Sequence, residues 1–176
     1  MTSLSIEDRA RRIRLVVLDV DGVLTDGTVI IHADGDESKG FNIKDGAAMV
    51  WSLSHGLNVG LLSARESRAT AERARQLGIT LVNQGAGDKG SAWEQMLAPL
   101  NLTDDEVAYM GDDLVDLGVM RRAGLAGAPA DAAVETRDAS HWVSSHAGGR
   151  GAVREFLELI LKAQGRWAAI VNDFSA

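Results

Sequence analysis

Short apolar runs alternate with amphipathic stretches along most of the chain. These short apolar runs predict strands at residues 14–19, 57–62, 79–82, 107–110, 125–128 and 141–143. The amphipathic stretches between and after them predict helices at residues 47–54, 66–77, 89–100, 114–123, 132–137 and 151–163. Because this alternation is typical of α/β domains, we expect one parallel sheet flanked by helices. The domain should span residues 12–165 and be followed by a C-terminal tail at 166–176.

One segment interrupts the alternation of strands and helices. Residues 28–32 are strand-like, residues 33–36 are turn-like, and residues 38–42 can return as a partner strand. The sequence therefore predicts a β-hairpin inserted at about residues 26–42, directly after the first strand. An isolated two-stranded ribbon is marginally stable in water, and this one carries the apolar residues 29–31. We therefore expect another surface to cover it.

The composition is that of one folded domain and excludes several classes of protein. A chain of 176 residues, 45% of them hydrophobic, can bury a sizeable core. The formal net charge of −7 argues against broad nucleic-acid binding, which needs a basic surface. The lack of cysteine excludes disulfides and thiolate metal sites and fits a reducing compartment. Because no apolar run resembles a membrane span or a signal sequence, we expect a cytoplasmic protein without a membrane partner.

Acidic residues follow two of the predicted strands. The first strand ends in Asp19, and Asp21 lies two residues later on the same side of the chain. The strand at 107–110 is followed by Asp112 and Asp113. Because ligands bind outside the carboxyl ends of parallel strands, we expect the two acidic clusters to meet. Clustered carboxylates need a cation, and an oxygen-rich site of this kind favours Mg²⁺ together with a substrate phosphate.

Asp19 is our candidate nucleophile, and Asp21 is our candidate general acid and base. A carboxylate can accept a phosphoryl group to form an aspartyl-phosphate, which divides one hydrolysis into two steps. Asp21 would protonate the leaving oxygen and then activate the attacking water. Mg²⁺ would offset the repulsion between the anionic nucleophile and the anionic substrate. The simpler alternatives are that Asp19 caps a turn and that Asp21 only supports the metal.

Two residues between the acidic clusters suit phosphate binding. Ser63 follows an apolar strand, and its hydroxyl can donate to a phosphate oxygen. Lys89 stands at a predicted helix start, where the helix dipole disfavours a cation unless an anion lies nearby. The alternatives are an ordinary N-cap serine and a solvated lysine. Asp116 lies one helical turn after Asp112, and we interpret it as structural support.

Four motifs resemble those of the haloacid dehalogenase-like phosphatases. They are, in chain order, Asp19–Gly27, Ser63, Lys89 and Gly111–Asp113. The resemblance implies that Asp19, Asp112 and the backbone carbonyl of Asp21 bind Mg²⁺. It also implies that Asp113 orients a bound water or Lys89. The resemblance implies a Rossmann-like sheet. It also implies that the catalytic residues are Asp19, Asp21, Ser63 and Lys89.

Two further segments, Lys39–Gly46 and Gly148–Glu155, resemble a narrower group, the 3-deoxy-D-manno-octulosonate 8-phosphate (KDO 8-phosphate) phosphatases. These enzymes have no large cap domain, and neighbouring subunits of a homotetramer cover the hairpin and help to close the site. The resemblance implies Mg²⁺-dependent hydrolysis of KDO 8-phosphate in lipopolysaccharide biosynthesis. By position, the implied substrate-binding residues are Asp21, Asn42, Ile43, Lys44, Asp45, Gly46, Arg65, Arg73, Lys89 and Arg150.

Several alternatives stay open. Val50 stands where this group tends to have a basic residue, so the substrate can also be a nonulosonic acid 9-phosphate or another small phosphate ester. A phosphomutase reaction and a non-catalytic assembly subunit are further alternatives. Arginine favours a substrate with a carboxylate, because its planar guanidinium can bind one in a bidentate manner. We also expect Asp45 to cap the helix at 47–54 and glycine-flanked Arg150 to fold over a site.

Overall fold

A six-stranded parallel sheet forms the centre of the computed structural model, which describes residues 4–175. The strands, in chain order, are β1 (Leu15–Leu18), β2 (Ile30–Ile31), β3 (Glu37–Ser38), β4 (Asn58–Leu62), β5 (Leu81–Asn83), β6 (Val107–Met110), β7 (Leu125–Ala128) and β8 (Trp142–Val143). Strands β2 and β3 form a separate antiparallel hairpin, and the sheet has the order β5-β4-β1-β6-β7-β8. The α/β class, the parallel sheet and the hairpin insertion predicted from the sequence are therefore confirmed.

Helices cover both faces of the sheet. They are α1 (Ile6–Arg12), α2 (Ile43–Ser54), α3 (Arg68–Leu77), α4 (Lys89–Leu97), α5 (Leu117–Met120), α6 (Val134–Ala139), α7 (Ala152–Ala163) and α8 (Trp167–Asp173). Short 3₁₀ turns occur at Ala98–Leu100, Asp104–Glu106 and Leu114–Asp116. Between residues 4 and 175, no helix combines the length and the apolar character that crossing a membrane requires.

The sheet separates two hydrophobic cores. In β1, Val16 and Leu18 point into one core, whereas Leu15 and Val17 point into the other, as the two-residue period of a strand requires. Helices α1, α2, α7 and α8 contribute to the first core, and α4 and α5 contribute to the second. Full burial of one such side chain contributes about 1.5–3 kcal/mol. The central strands are therefore held firmly, and so are the loops at their carboxyl ends.

The predicted N-cap of α2 is wrong. The helix begins at Ile43, four residues before the predicted start at 47, because the Asn42 side chain accepts a hydrogen bond from the Lys44 amide at 2.8 Å. Asp45 lies inside the helix and is buried. Its carboxylate instead accepts the backbone N–H groups of Gly151 and Arg154, at 3.3 and 2.8 Å. Asp45 therefore caps α7, a helix more than a hundred residues away along the chain.

Other helix boundaries also differ from the predictions. The helix predicted at 114–123 is a 3₁₀ turn followed by the single turn of α5. Neither α1 nor α8 was predicted, and α8 occupies most of the segment expected to be a tail. Ile170 of α8 is buried in the first core, and the ring centroids of Trp167 and Trp51 lie 6.2 Å apart. Ala176, at the end of the predicted tail, lies outside the described residues.

The hairpin projects from the sheet immediately after the β1 loop. Ile30 pairs with Ser38 and Ile31 with Glu37, so each strand is shorter than the sequence predicts. In the single chain the side chains of Ile30 and Ile31 are 57% and 66% exposed. The hairpin therefore presents apolar surface to its surroundings, as expected from its composition.

Candidate active site

A cleft of about 250 Å³ opens at the carboxyl ends of β1, β4 and β6. Strand order changes direction at β1, with β4 on one side and β6 on the other, which is where ligands bind in open α/β sheets. The cleft is lined by Asp19, Asp21, Gly22, Gly27, Ser63, Ala64, Arg65, Lys89, Asp112, Asp113 and Val115. The structure thus brings together every residue predicted to be catalytic and every predicted metal ligand.

Asp19 is fixed directly after β1. Its backbone amide donates to the Met110 carbonyl at 3.0 Å, and its Oδ1 accepts from the Val20 amide at 2.7 Å. Its Oδ2 lies 3.0 Å from Nζ of Lys89. Burial and the nearby charge of Asp116 raise the pKa of Asp19 to about 7, although Lys89 opposes this shift. The Asp19 carboxyl group is therefore held in place by hydrogen bonds, and Lys89 only partly offsets the effects of burial and of the Asp116 charge.

Lys89 is buried in a cluster of three polar side chains. Its Nζ lies 2.6 Å from Oδ1 of Asp116 and donates to the Tyr109 hydroxyl at 3.2 Å. Burial lowers the pKa of Lys89, but the carboxylates of Asp19 and Asp116 outweigh burial and leave it above its ordinary value. Lys89 is therefore a charged group aimed at Asp19 and not a solvated lysine.

Asp116, not Asp113, holds Lys89 in place. Asp116 is completely buried, and its second oxygen accepts the backbone amides of Asp112 and Asp113 at 3.0 and 3.2 Å. These contacts are consistent with the structural role predicted for Asp116, although its main partner is the distant Lys89. Asp113 instead caps the turn that follows it, since its Oδ1 accepts the Leu114 amide at 2.7 Å.

Asp19, Asp112 and Asp116 each offer a carboxylate oxygen within 4.8 Å of the others. Asp116 accepts Lys89, Tyr109 and two amides, whereas Asp19 contacts only the Val20 amide and Lys89, so Asp19 and Asp112 have more capacity left for a cation. Burial, followed by the charges of Asp19 and Asp116, raises the pKa of Asp112 to about 7. Two hard oxygen donors that repel each other in this way fit a divalent cation such as Mg²⁺.

Gly22 makes room for this arrangement. Its φ angle is +83°, and a Cβ atom at this position would lie 2.0 Å from Oδ2 of Asp112. Any other residue would therefore be strained and would displace the Asp112 carboxylate. In the Asp-x-Asp-Gly pattern, the two aspartates are thus followed by glycine, the residue type that leaves room for the Asp112 carboxylate beside them.

Ser63 directly follows β4 beside the cleft and is buried. Its hydroxyl accepts the Arg65 amide at 3.2 Å, so it closes a local turn and faces the cleft. It is not the N-cap of α3, because Ser67 takes that position. The arrangement leaves the Ser63 hydroxyl free to donate to an anion.

A cluster of alternating charges joins the hairpin to the cleft. Nζ of Lys39 lies 2.7 and 2.9 Å from the two carboxylate oxygens of Asp21. Arg65 Nε lies 3.6 Å from Asp21, and its Nη2 donates to Glu37 at 2.9 Å. Lys39 occurs in a motif noted in the sequence, but nothing in the local pattern indicates that it reaches Asp21.

The remaining predicted substrate-binding residues lie outside this cleft. Asn42 and Ile43 line a neighbouring cavity of about 310 Å³ together with Arg150. Lys44 is exposed on α2, while Asp45 is buried under α7. Arg73 packs against α2, where a Cβ atom on Gly46 would lie 2.3 Å from its Nη2. Of the arginines proposed for substrate binding, Arg65 alone lines the cleft of its own chain.

The Gly-rich loop at 148–151 supports its own subunit. A Cβ atom on Gly148 would lie 1.8 Å from the Gly22 carbonyl oxygen, and the Gly149 amide donates to the Val23 carbonyl at 2.9 Å. Its glycines therefore allow two backbones to touch behind the cleft. Only Arg150 projects outwards, 3.4 Å from Asp26.

Comparisons with known proteins agree with this geometry. Residues 61–157 match the family model of the haloacid dehalogenase-like hydrolases. The chain is 42% identical over 158 residues to the 3-deoxy-D-manno-octulosonate 8-phosphate phosphatase of Yersinia pestis, covering 90% of this chain and 84% of that protein.

Solved structures of two relatives match the fold closely. The Moraxella catarrhalis 3-deoxy-D-manno-octulosonate 8-phosphate phosphatase, in complex with magnesium, phosphate and KDO, is 37% identical with a TM-score of 0.93, covering 96% of this chain and 97% of that one. The cobalt-bound phosphatase of Haemophilus influenzae is 37% identical with a TM-score of 0.86, covering 89% and 92%.

Proposed function

The chain belongs to the haloacid dehalogenase-like hydrolases, and on this basis we propose that it is a Mg²⁺-dependent phosphatase that converts KDO 8-phosphate to KDO and phosphate. The observation that carries the proposal is the meeting of Asp19, Asp112 and the buried Lys89 in one cleft. The relatives named KDO 8-phosphate phosphatases match nearly the whole chain, and their names support KDO 8-phosphate as the substrate.

In this proposal Asp19 is the nucleophile. Its Oδ1 is occupied by the Val20 amide, which fixes the carboxylate so that Oδ2 can attack phosphorus and expel the sugar oxygen. The product of this step is an aspartyl-phosphate on Asp19. Asp21 lines the same cleft and gives the leaving oxygen a proton, and it then takes one from the water that hydrolyses the aspartyl-phosphate.

Lys89 and Ser63 bind the phosphoryl group. Lys89 brings a desolvated positive charge to within 3.0 Å of Asp19, where negative charge accumulates on the phosphoryl oxygens. Ser63 offers a hydroxyl on the opposite wall. Asp19, Asp112 and the Asp21 carbonyl would hold Mg²⁺, which neutralises phosphoryl charge when bound. Asp113 orders the loop that carries Asp112.

We propose a homotetramer whose neighbouring subunits complete the substrate site. Arg65 lies at the rim of the cleft and suits the KDO carboxylate. Arg73, Arg150 and residues 42–44 lie elsewhere on the chain, so we assign them to binding a substrate held by a neighbouring subunit, whereas the buried Asp45 and Gly46 support that surface. The exposed apolar surface of Ile30 and Ile31 favours association of the hairpin with a neighbouring subunit.

The cellular setting belongs to the same proposal. A chain without cysteine suits the reducing cytoplasm. The product KDO is a sugar acid, and we place the reaction in lipopolysaccharide biosynthesis, as the resemblance implies. Related nonulosonic acid 9-phosphates are the alternative substrates, because Val50 departs from the usual pattern.

A substrate screen tests the proposed function. Purified protein is assayed against KDO 8-phosphate, nonulosonic acid 9-phosphates and other sugar phosphates, each with Mg²⁺ and with EDTA. We expect KDO 8-phosphate to give the highest kcat/KM, with activity lost in EDTA. Faster turnover of a 9-phosphate would reassign the substrate.

Asp19→Asn is the inactive control in this screen. It should keep the melting temperature within a few degrees and lower kcat by at least about 10⁴-fold, as expected for loss of a nucleophile. Asp138→Asn, a matched change at an exposed position on α6, should behave like the wild type. Wild-type turnover by the Asp19→Asn protein would refute the mechanism.

A further inference from the structure

Lys39 is a completely buried cation at the base of the hairpin. Its side chain has no exposed surface, although the hairpin around it is largely open to solvent. Its Nζ lies between both carboxylate oxygens of Asp21 and is 3.7 Å from Glu37. Since an ammonium group is rarely buried without a partner, the contact with Asp21 is what keeps Lys39 in place.

The charged cluster around Lys39 ties three separate parts of the chain together. Asp21 belongs to the loop after β1, Arg65 to the loop after β4, and Glu37 and Lys39 to the hairpin. Positive and negative groups alternate around this cluster, from Lys39 to Asp21, Arg65 and Glu37. Any movement of the hairpin base therefore changes what the Asp21 carboxylate touches.

We propose that Lys39 is a positioning residue that sets the direction of the Asp21 carboxyl group for proton transfer. Two facts support this assignment. Lys39 contacts both Asp21 oxygens, whereas Arg65 contacts one of them at the longer distance of 3.6 Å. General acid–base catalysis also requires the acid within hydrogen-bond reach of the reacting oxygen, so a carboxyl group that can rotate away is a poor catalyst.

The proposal rests on the proposed function of Asp21 and is tested by the choice of leaving group. Release of a sugar alkoxide needs a proton from Asp21, whereas p-nitrophenolate leaves without one. The near-isosteric Lys39→Met should slow single-turnover release of KDO by at least about tenfold, a fraction of what general acid catalysis contributes. The initial burst of p-nitrophenolate from p-nitrophenyl phosphate should change less than about threefold.

Other roles for Lys39 give different results. If Lys39 bound the substrate, KM would rise while the single-turnover rate at saturation stayed the same. If it only held the fold, both substrates would slow together and the melting temperature would fall. Either result would overturn the proposal. Lys39→Gln, which keeps a polar group in the buried position, is measured in parallel.

Two further variants serve as controls. Arg68→Met removes an exposed cation that links α3 to Asp36 of the hairpin at 3.5 Å, and it should leave both rates unchanged. In an Asp21→Asn background, Lys39→Met should have no further effect, because the group that it positions is already lost. A full tenfold loss in that background would show that Lys39 acts independently of Asp21.

Failure of the proposed function can be told apart from failure of this inference. If wild-type protein does not hydrolyse KDO 8-phosphate, the substrate assignment is wrong, and the Lys39 test is repeated with an alkyl phosphate that is turned over. If KDO 8-phosphate is hydrolysed and the two leaving groups respond equally to Lys39→Met, the role of Lys39 is wrong while the function stands.

Discussion

At the scale of single residues, the cleft holds more negative charge than its buried lysine can balance. Asp19 and Asp116 both contact Lys89, with Asp116 the closer, and the nearby Asp112 has no direct contact with it among the described residues. The pKa values of Asp19 and Asp112 rise to about 7 mainly because the two carboxyls are buried near other carboxylates. The free energy of unfolding should therefore depend on whether protons or a metal ion neutralise these two groups.

Mg²⁺ should stabilise the protein more at pH 8 than at pH 6. Without metal, folded Asp19 and Asp112 keep protons up to pH values of about 7, whereas unfolded aspartates lose them near pH 4. The stability linked to these carboxyls is thus fully present below pH 4 and is lost as the pH rises through 7. Mg²⁺ replaces the protons, so the increase in melting temperature on adding Mg²⁺ to EDTA-treated protein should grow with pH.

Single substitutions test whether Asp19 and Asp112 cause this Mg²⁺-dependent increase in melting temperature. Asp112→Asn removes a carboxylate from the pair and should abolish most of the Mg²⁺-dependent increase, whereas the exposed Asp138→Asn should keep it. An increase of equal size at pH 6 and pH 8 would mean that Asp19 and Asp112 are not the groups neutralised. Ca²⁺ should restore stability better than activity, because its longer and looser coordination disturbs in-line attack.

Residues that follow a strand were predictable, and residues that act through distant contacts were not. Asp19, Asp112 and Ser63 each stand where an apolar run ends, and parallel strands place such ends together. The ion pair of Lys89 with Asp116 depends on how the loop after β6 folds back. The contact of Lys39 with Asp21 depends on how the hairpin folds back. No periodicity in the sequence encodes those contacts.

At the scale of helices and strands, Asp45 shows how one element can determine the start of another. Burial raises the pKa of Asp45, even though it accepts two backbone N–H groups from the first turn of α7. The residue at the N-cap position of α7, Gly151, has no side chain to supply this acceptor. A carboxylate from α2 replaces it and joins the two helices.

Asp45→Ala should therefore destabilise the protein by about 1–2 kcal/mol, the usual effect of losing an N-cap acceptor. Urea unfolding followed by circular dichroism measures this change. Asp45→Asn keeps one acceptor oxygen and should cost less, and Lys44→Ala, at the neighbouring exposed position, should be neutral. If Asp45→Ala is as stable as the wild type but turns over substrate poorly, Asp45 is a binding residue instead.

The strands were easier to predict than the helices at the chain ends. The runs at 107–110 and 125–128 are buried on both faces, so they are continuously apolar and have sharp limits. Helix α1 buries only Ala10, and its charged residues give no amphipathic signal. Helix α8 is held by Ile170 and by the contact between Trp167 and Trp51, which its own sequence does not reveal.

At the scale of the whole molecule, the hairpin would link the proposed assembly to catalysis. Its outer residues, Ile30 and Ile31, are exposed in the single chain, whereas Lys39 at its base reaches Asp21. Two strands of two residues each are marginally stable by themselves, and the contacts with their own chain lie on the side of Glu37 and Lys39. A neighbouring subunit that covers Ile30 and Ile31 would hold the hairpin and, through it, the cleft.

Ile30→Asp or Ile31→Asp should therefore dissociate the assembly and lower activity. A charge on this surface cannot be buried against a neighbouring subunit, so sedimentation or light scattering should show smaller species. Activity on KDO 8-phosphate should fall more than activity on p-nitrophenyl phosphate, because the small ester needs less of the surface that a neighbouring subunit is proposed to supply. Leu100→Asp, at an exposed apolar residue far from the hairpin in sequence, is the matched control and should keep the assembly. A wild-type monomer with full activity on KDO 8-phosphate would rule out the coupling, and Arg73 and Arg150 would then need roles within their own subunit.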